Sequence, residues 1–469
     1  MYQLAERISA PEIGLPDGMR IPFGWSASPV VPGEGKITAL HWDESIVLVK
    51  DHVRFRIAVA VDVRENKIVE VFALKSGRVL GTLDIRFAHV FQIFELPMSL
   101  NDAITALKEG IGLRLLQGNS PLWFFVQGTD GSLDEPTLLP HLMDGSGGLA
   151  VDAFGERFNT LASIQQFGWM EGCVLDGLMD MGQIATIHKH LDLYITAKGD
   201  LTYEDPKSYV VDGRFYGIES TLPIAILAKL EPSHILVEQA VQFMFAHTDE
   251  MGIIKDGDML SSEGSYTIAY PLAVIASQRG DHRLAQMAYK QLQLRRDLLW
   301  HEEILFLRRM DDESRTFGNW GRAYGWHLLG LIRSLEEFKR NGLLSYEQEL
   351  IIEEEFARTL RRAFSYRNEQ GLWNCFLDEP ETGIDTSASA AIAAAAAIAI
   401  RTGLPDYTGG ADLDLSVKSL LLYLTPDGLM TGTAQSNKNG ESLQRSGYRV
   451  LSQMTMGLMG QLLATTKNR

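Results

Sequence analysis

Two fold classes follow one another along this chain: an antiparallel β sandwich over residues 1–150, then an all-α barrel of paired helices, an (α/α)6 barrel, over residues 151–469. Three observations predict this. Strand-like runs crowd the first part and nearly vanish afterwards. The later part has helical, 3.6-residue periodicity. Its helices are of two alternating kinds, apolar all round and apolar on one side. A chain of 469 residues also exceeds one ordinary core, so two domains are expected.

The strand signals are KITALHW, SIVLVK, FRIAVAVDV, KIVEVFAL and LWFFVQ, β-branched or aromatic runs broken by polar turns. LNDAITALKEGIGLRLL reads as one helix among them, with Asn101 or Asp102 as N-cap. MDGSGG, residues 143–148, reads as the linker. Helices are predicted near 156–170, 172–180, 182–196, 216–230, 233–248, 264–278, 281–300, 321–340, 345–366, 386–402, 411–424 and 444–466. GCVLDGLMD, YGIESTLPIAILAK, GSYTIAYPLAVIAS, GRAYGWHLLGLI, TSASAAIAAAAAIAI and QRSGYRVLSQMTMGLMG are apolar nearly all round and so buried all round. They start near 172, 216, 264, 321, 386 and 444, and amphipathic partners such as HRLAQMAYKQLQLRRDLL separate them. Six inner and six outer helices make two concentric rings. An open superhelix would be more regular in length and spacing, so a closed barrel is expected, with no sheet inside 155–469.

Composition narrows the partners. With 45% apolar and 22% charged residues, the chain is globular. A net charge of −17 repels a phosphate backbone, so nucleic acid is not expected. No apolar run reaches a membrane span, and the N-terminus lacks a secretory pattern, so a cytoplasmic protein is expected. Cys173 and Cys375 are too few for a disulfide framework and read as buried thiols. His188 and His190, two residues apart, do not share a helix face, and neither a metal nor another cofactor is expected. P-loop, dinucleotide and nucleophile-elbow motifs are absent.

In a barrel of helix pairs, the loops entering the inner helices gather at one end, and there the unusual residues lie. They are Glu171 and Asp176; Asp212, Arg214, Tyr216 and Glu219; Asp256, Asp258, Glu263 and Tyr266; Trp320, Arg322, Trp326 and His327; and Trp373, Asp385, Thr386 and Ser387. Charges at buried helix starts need partners or a polar cavity. Simpler roles are open to several. Asp176 and Asp212 precede glycines and suit N-caps, Asp256 and Asp258 suit a turn, and His327 suits a core histidine. Carboxylates, tryptophans and arginines at one mouth are the ingredients of a sugar site. Aromatic faces stack on pyranose rings, carboxylates do acid–base chemistry, and arginine forks a uronate carboxylate. Asp212, Glu219, Glu263, Arg322 and Trp326 are expected to line one cavity.

GNWGRAYGWHLLGLIRSLEEF is similar to the W-x-R-x-x-G-W helix start of glycoside hydrolase families 105 and 88, the unsaturated rhamnogalacturonyl and glucuronyl hydrolases. GLWNCFLDEPETGIDTSASAAIAA and SSEGSYTIAYPLAVIA resemble further elements of those families. Glu263 takes the place of the family's catalytic aspartate before G-x-Y, and Asn374 and Cys375 depart from its pattern. The resemblance spans roughly residues 155–469 and implies removal of a terminal uronate, 4,5-unsaturated, from an oligosaccharide. It implies Glu263, with Asp212 or Glu219, as the catalytic carboxyls. Arg214, Tyr216, Tyr266, Trp320, Arg322, Trp326, His327, Trp373 and Ser387 would then hold the sugar. A saturated glycuronidase, a sugar 2-epimerase or a non-catalytic carbohydrate binder are the other readings of the same ingredients.

Overall fold

The computed structural model describes residues 2–43, 45–48, 53–128, 133–145 and 150–466. The first part is a sandwich. Its strands are β1 (Tyr2–Leu4), β2 (Arg7–Ser9), β3 (Ser26–Val30), β4 (Thr38–His41), β5 (Val53–Ala58), β6 (Asn66–Ala73), β7 (Val79–Arg86), β8 (Ile93–Met98), β9 (Ile111–Gln117), β10 (Leu122–Val126) and β11 (His141–Asp144). One antiparallel sheet runs β2-β4-β9-β6-β7, another β1-β11-β5-β8, and β3 pairs with β10. Leu40, Val71 and Leu113 of the first sheet meet Phe55, Phe94 and Leu142 of the second in one core.

Three sequence expectations change here. The helical run divides into α1 (Leu100–Glu109), capped by Ser99, and strand β9, because Gly110 at φ 82 ends the helix. Residues 45–48 of SIVLVK form no strand, and 49–50 lie outside the described residues. Of the linker MDGSGG, Met143 and Asp144 close β11, while 146–148 lie outside the described residues.

Helices α2 (Ala150–Phe158), α4 (Ile184–Tyr194), α6 (Ile235–Ala246), α8 (His282–Leu299), α10 (Tyr346–Phe364) and α12 (Leu413–Leu421) form the outer ring. The inner ring is α3 (Trp169–Asp180), α5 (Leu222–Leu230), α7 (Tyr270–Arg279), α9 (Gly321–Asn341), α11 (Thr386–Arg401) and α14 (Gln453–Thr466). Each inner helix packs on the next, and α14 returns to α3, so the ring is closed. Small residues allow this. An added Cβ at Gly177 would lie 2.3 Å from the Gly457 carbonyl oxygen, so α3 and α14 touch backbone to backbone. The alanines of α11 are buried on every face, as the pattern predicts.

The boundaries shift at the mouth. The last inner helix starts at 453, after short helix α13 (Gly440–Arg445), and not near 444. The first predicted outer helix, 156–170, is α2 and a separate turn. A small sheet also interrupts the helices, contrary to expectation. It comprises β12 (Met259–Ser261), β13 (Trp300–His301), β14 (Ile304–Met310) and β15 (Arg315–Gly318), and a minor pair joins β16 (Thr433–Ala434) to β17 (Arg449–Val450). In ILFLRRM, Leu305 and Leu307 are buried while Ile304 and Phe306 are half-buried, the two-residue alternation of a strand inside a long loop.

The sandwich and the barrel share apolar packing. Leu122, Phe124 and Val126 of β10 enter the sandwich core, and the alternate Trp123 and Phe125 enter the barrel core. Buried Arg56 forks Asp427 at 2.7 and 3.1 Å across the same junction. Among the described residues, no helix is long and apolar enough to cross a membrane.

Candidate active site

A cavity of about 330 Å³ opens at the mouth of the barrel. Glu219, Asp256 and Glu263 line it with Trp169, Trp320 and Trp326 and with Arg64, His89, Arg308, Arg322 and Lys438.

Local structure explains these positions. Glu219 stands on a 3-10 turn, Ile218–Thr221, ahead of α5, and not a turn inside the helix as the periodicity suggests. Pro223 near the start of α5 supplies no N–H, so the regular helix begins only at Leu222. Glu263 directly precedes Gly264 and a π turn, Ser265–Ala269, that leads into α7. Such turns re-aim side chains and are frequent at functional sites. Arg322 and Trp326 lie in the first turns of α9, with Trp320 as its N-cap.

The carboxyls are perturbed. Burial pushes Glu219 up to about 8, and the nearby charges of Glu263 and Asp256 add to this. The Tyr216 hydroxyl donates to Glu219 Oε1 at 3.1 Å and works the other way. Burial also raises Glu263, against the lowering charges of Arg308 and Arg322. Asp256 is raised by burial too, while accepting the Ile218 N–H at 3.2 Å.

The cations differ in how far they are committed. Arg322 donates to the Gln435 carbonyl and Gln444, lies 3.7 Å from Asp385, and packs over Trp320 at 4.5 Å. The Arg308 guanidinium forms no hydrogen bond or ion pair among the described residues and packs over Phe317 at 5.4 Å. Trp326 sits between Trp169, edge-on at 5.6 Å, and Tyr266, stacked at 6.1 Å, giving the cavity an aromatic corner.

Among the sequence-predicted residues, the structure brings Glu219, Glu263, Trp320, Arg322 and Trp326 to this cavity. Others lie elsewhere. Asp212 is forked by Arg20 at 2.8 Å on both oxygens, a pairing that lowers its pKa, and it ties the N-terminal arm to the barrel. Arg214 is exposed outside the cavity. Tyr216 stands behind Glu219 as its hydrogen-bond partner. Tyr266 lies beneath the floor, where it and Tyr270 donate to Asp176, which is therefore no N-cap. His327 is buried between Ser265 at 2.8 Å and Glu355 at 3.0 Å. Trp373 is buried, its indole donating to the Ala363 carbonyl at 2.7 Å. Ser387 donates to the α11 N-cap Asp385 at 2.7 Å.

Sequence reasoning missed Arg64, His89, Trp169, Arg308 and Lys438. Trp169 lies two residues before Glu171, and the Arg308–Arg309 doublet interrupts an apolar strand; both were available signals. Arg64 and His89 come from the sandwich and carried no signal. Among the described residues, no group of three or more His, Cys, Asp or Glu is placed to hold a metal.

Residues 269–466 match the family model Glycosyl Hydrolase Family 88. Solved structures share the fold. A glycoside hydrolase of family 105 from C. acetobutylicum ATCC 824 is 17% identical, with TM-score 0.56 over 68% of this chain and 99% of its own. A possible family 105 member from Salmonella enterica serovar Paratyphi A is 14% identical, with TM-score 0.55 over 64% of this chain and 83% of its own. An unsaturated glucuronyl hydrolase specific for heparin is 12% identical, with TM-score 0.51 over 68% of this chain and 95% of its own. No curated protein matches. The expected likeness to families 105 and 88 thus holds, and the helical region has their (α/α)6 barrel.

Proposed function

We propose that this chain, whose residues 269–466 carry the Glycosyl Hydrolase Family 88 pattern, is a glycoside hydrolase that removes a terminal 4,5-unsaturated uronate from an oligosaccharide. One observation carries the reading: two half-buried, mutually interacting carboxyls, Glu219 and Glu263, share a cavity with the uncommitted guanidinium of Arg308. Neighbouring carboxyls out of water hold a proton between them at neutral pH. Arg308 and Arg322 bias Glu263 toward its charged form, so the proton rests on Glu219.

Glu219 then delivers its proton to C4 of the unsaturated ring. Water adds at C5, and Glu263 takes the proton that water loses. The resulting hemiketal collapses, the ring opens and the aglycone departs. Arg308 and Arg322 take the uronate carboxylate, and Trp169 and Trp326 offer faces to the ring. A saturated uronide is the second reading, favoured by glutamate at 263 where the resembled motif has aspartate.

Product analysis with an unsaturated uronyl disaccharide and its saturated counterpart decides between them. Cleavage of the first is expected, and cleavage of the second alone would establish the alternative. Glu263→Gln and Glu219→Gln should each cost about 10²–10⁴-fold in kcat, the usual worth of a positioned acid or base. If neither change matters for any uronide cleaved, the acid–base assignment is wrong.

A further inference from the structure

The cavity is not built by the barrel alone. Arg64 follows β5, and His89 lies in the turn between β7 and β8, so both reach the site from the sandwich. Their loops are fixed to the barrel. Asp62 accepts from Arg64 Nε at 2.7 Å and from Lys438, and its backbone N–H donates to Ser208 Oγ at 2.9 Å. On either side of His89, the carbonyls of Arg86 and Phe91 each accept from a barrel glutamine, Gln435 and Gln453, at 2.8 Å.

Two features of this wall are unexplained by the sandwich itself. Both ring nitrogens of His89 are shielded from solvent and form no hydrogen bond of good geometry among the described residues, the Gln166 side chain being in weak hydrogen-bonding contact with the ring. An imidazole nitrogen facing a cavity with no strong protein partner suits a ligand hydroxyl or a bound water. Arg64 and Lys438 also share the single carboxylate of Asp62, so this corner keeps positive charge. Arg308 and Arg322 act on Glu263, and Arg322 also acts on His89. Four cations, Arg64, Arg308, Arg322 and Lys438, thus line one cavity, and a single uronate carboxylate pairs with only some of them.

We infer that His89 and Arg64 form a subsite for the sugar next to the terminal uronate, and that this sugar carries an anionic group, a carboxylate or a sulfate. The inference rests on the uronide reading above. Arg64, whose Nε is held by Asp62 and whose Nη2 donates to the Pro206 carbonyl at 3.1 Å, offers Nη1 to the anion, and His89 hydrogen-bonds a neighbouring ring hydroxyl.

Three unsaturated oligosaccharides test it, with the second sugar neutral, sulfated or a uronic acid. The full-length wild type is expected to favour one or both anionic substrates in kcat/KM, and which of the two reveals the source. Arg64→Gln should erase about tenfold of that preference, mostly through KM, as loss of a charge-assisted hydrogen bond does. Arg64 also donates to the Pro206 carbonyl at 3.1 Å, so the Tm of Arg64→Gln is measured beside its kinetics; Asp62 keeps Lys438 as its partner. His89→Phe should raise KM for all three, and His89→Gln should recover part of the loss. No preference in the wild type, or an equal loss on all three substrates in Arg64→Gln, overturns the subsite. If the wild type cleaves none of them, the uronide reading fails. Calorimetry with the same oligosaccharides then still decides: anion-dependent binding lost in Arg64→Gln keeps the subsite, and its absence overturns it.

Discussion

The carboxyl pair that serves chemistry costs stability, and this makes it measurable apart from turnover. Burial raises Glu219 to about 8, from about 4.3 in an unfolded chain. The folded state thus binds the extra proton. That contribution is complete below about pH 4 and is lost as pH rises through 8. Glu219→Gln removes the titration, so its Tm should exceed wild type at pH 8 and approach it at pH 4. Equal Tm differences at both values would show that Glu219 titrates normally. Activity has the matching profile. It needs the protonated acid, so kcat/KM should fall above about pH 8, and it needs charged Glu263, so it should also fall on the acid side. Arg308→Gln should raise KM for a uronide by about tenfold or more, and because the Arg308 charge lowers Glu263, the acid-side fall in activity should move to higher pH in the variant. Residues at the starts of buried helices, such as Glu263 and Arg322, were legible because a charge there demands a cavity or a partner. Asp212 had the same signature. What removes it from the site is Arg20, 192 residues away in sequence, and no local pattern records that partner.

At the scale of elements, helix alternation was enough to foresee the closed ring, since an all-apolar helix must be buried whatever its neighbours. The turns at the mouth were not legible. The 3-10 turn bearing Glu219 and the π turn after Glu263 both lie inside apolar runs whose periodicity reads as helix from the start. Sheet β12–β15 was hidden because its strands are short and sit inside loops. Closure itself depends on Gly177 and Gly457. A Cβ on Gly457 would come within 2.3 Å of the Cys173 carbonyl oxygen, and neither backbone can yield without parting α3 from α14. Gly457→Ala should therefore cost about 1–3 kcal/mol, the usual penalty of overpacking, read by urea unfolding. Gly155→Ala in α2 is the control. Its Cβ meets nothing within 4 Å, so helix propensity should make it stabilising by roughly 0.5–1 kcal/mol. If both behave alike, close packing does not set the ring.

For the whole molecule, the decisive fact is that the sandwich and the barrel were legible separately and their junction was not. Composition changes near residue 150 announce two parts, but the contacts joining them pair residues hundreds of positions apart. Arg56 and Asp427 illustrate this. Arg56 is 0% exposed and is held by Glu95 as well as by Asp427. Asp427 also accepts from Tyr2 at 2.6 Å and Thr425 at 2.7 Å. Burial alone would raise the Asp427 carboxyl, and the Arg56 charge and these hydrogen bonds more than offset it, leaving it well below its usual range. Its contribution to stability is therefore present above about pH 4 and is lost as pH falls through the depressed value. Removing one partner of a buried pair strands the other. Asp427→Ala should cost about 3 kcal/mol, at the low end of the usual range because Glu95 remains beside Arg56. The loss should be larger at pH 7 than at pH 3. It should also reach the site, because the same junction positions Arg64 and His89: KM for an acidic oligosaccharide should rise in the variant even though residue 427 lies outside the cavity. Urea unfolding followed by tryptophan fluorescence and far-UV circular dichroism provides the check. Wild type, with β10 contributing to both cores, should unfold in one transition seen alike by both probes. In Asp427→Ala the two curves should separate as the sandwich loosens first. Coincident curves with unchanged KM would mean that the apolar packing of β10, and not this ion pair, holds the two parts in register.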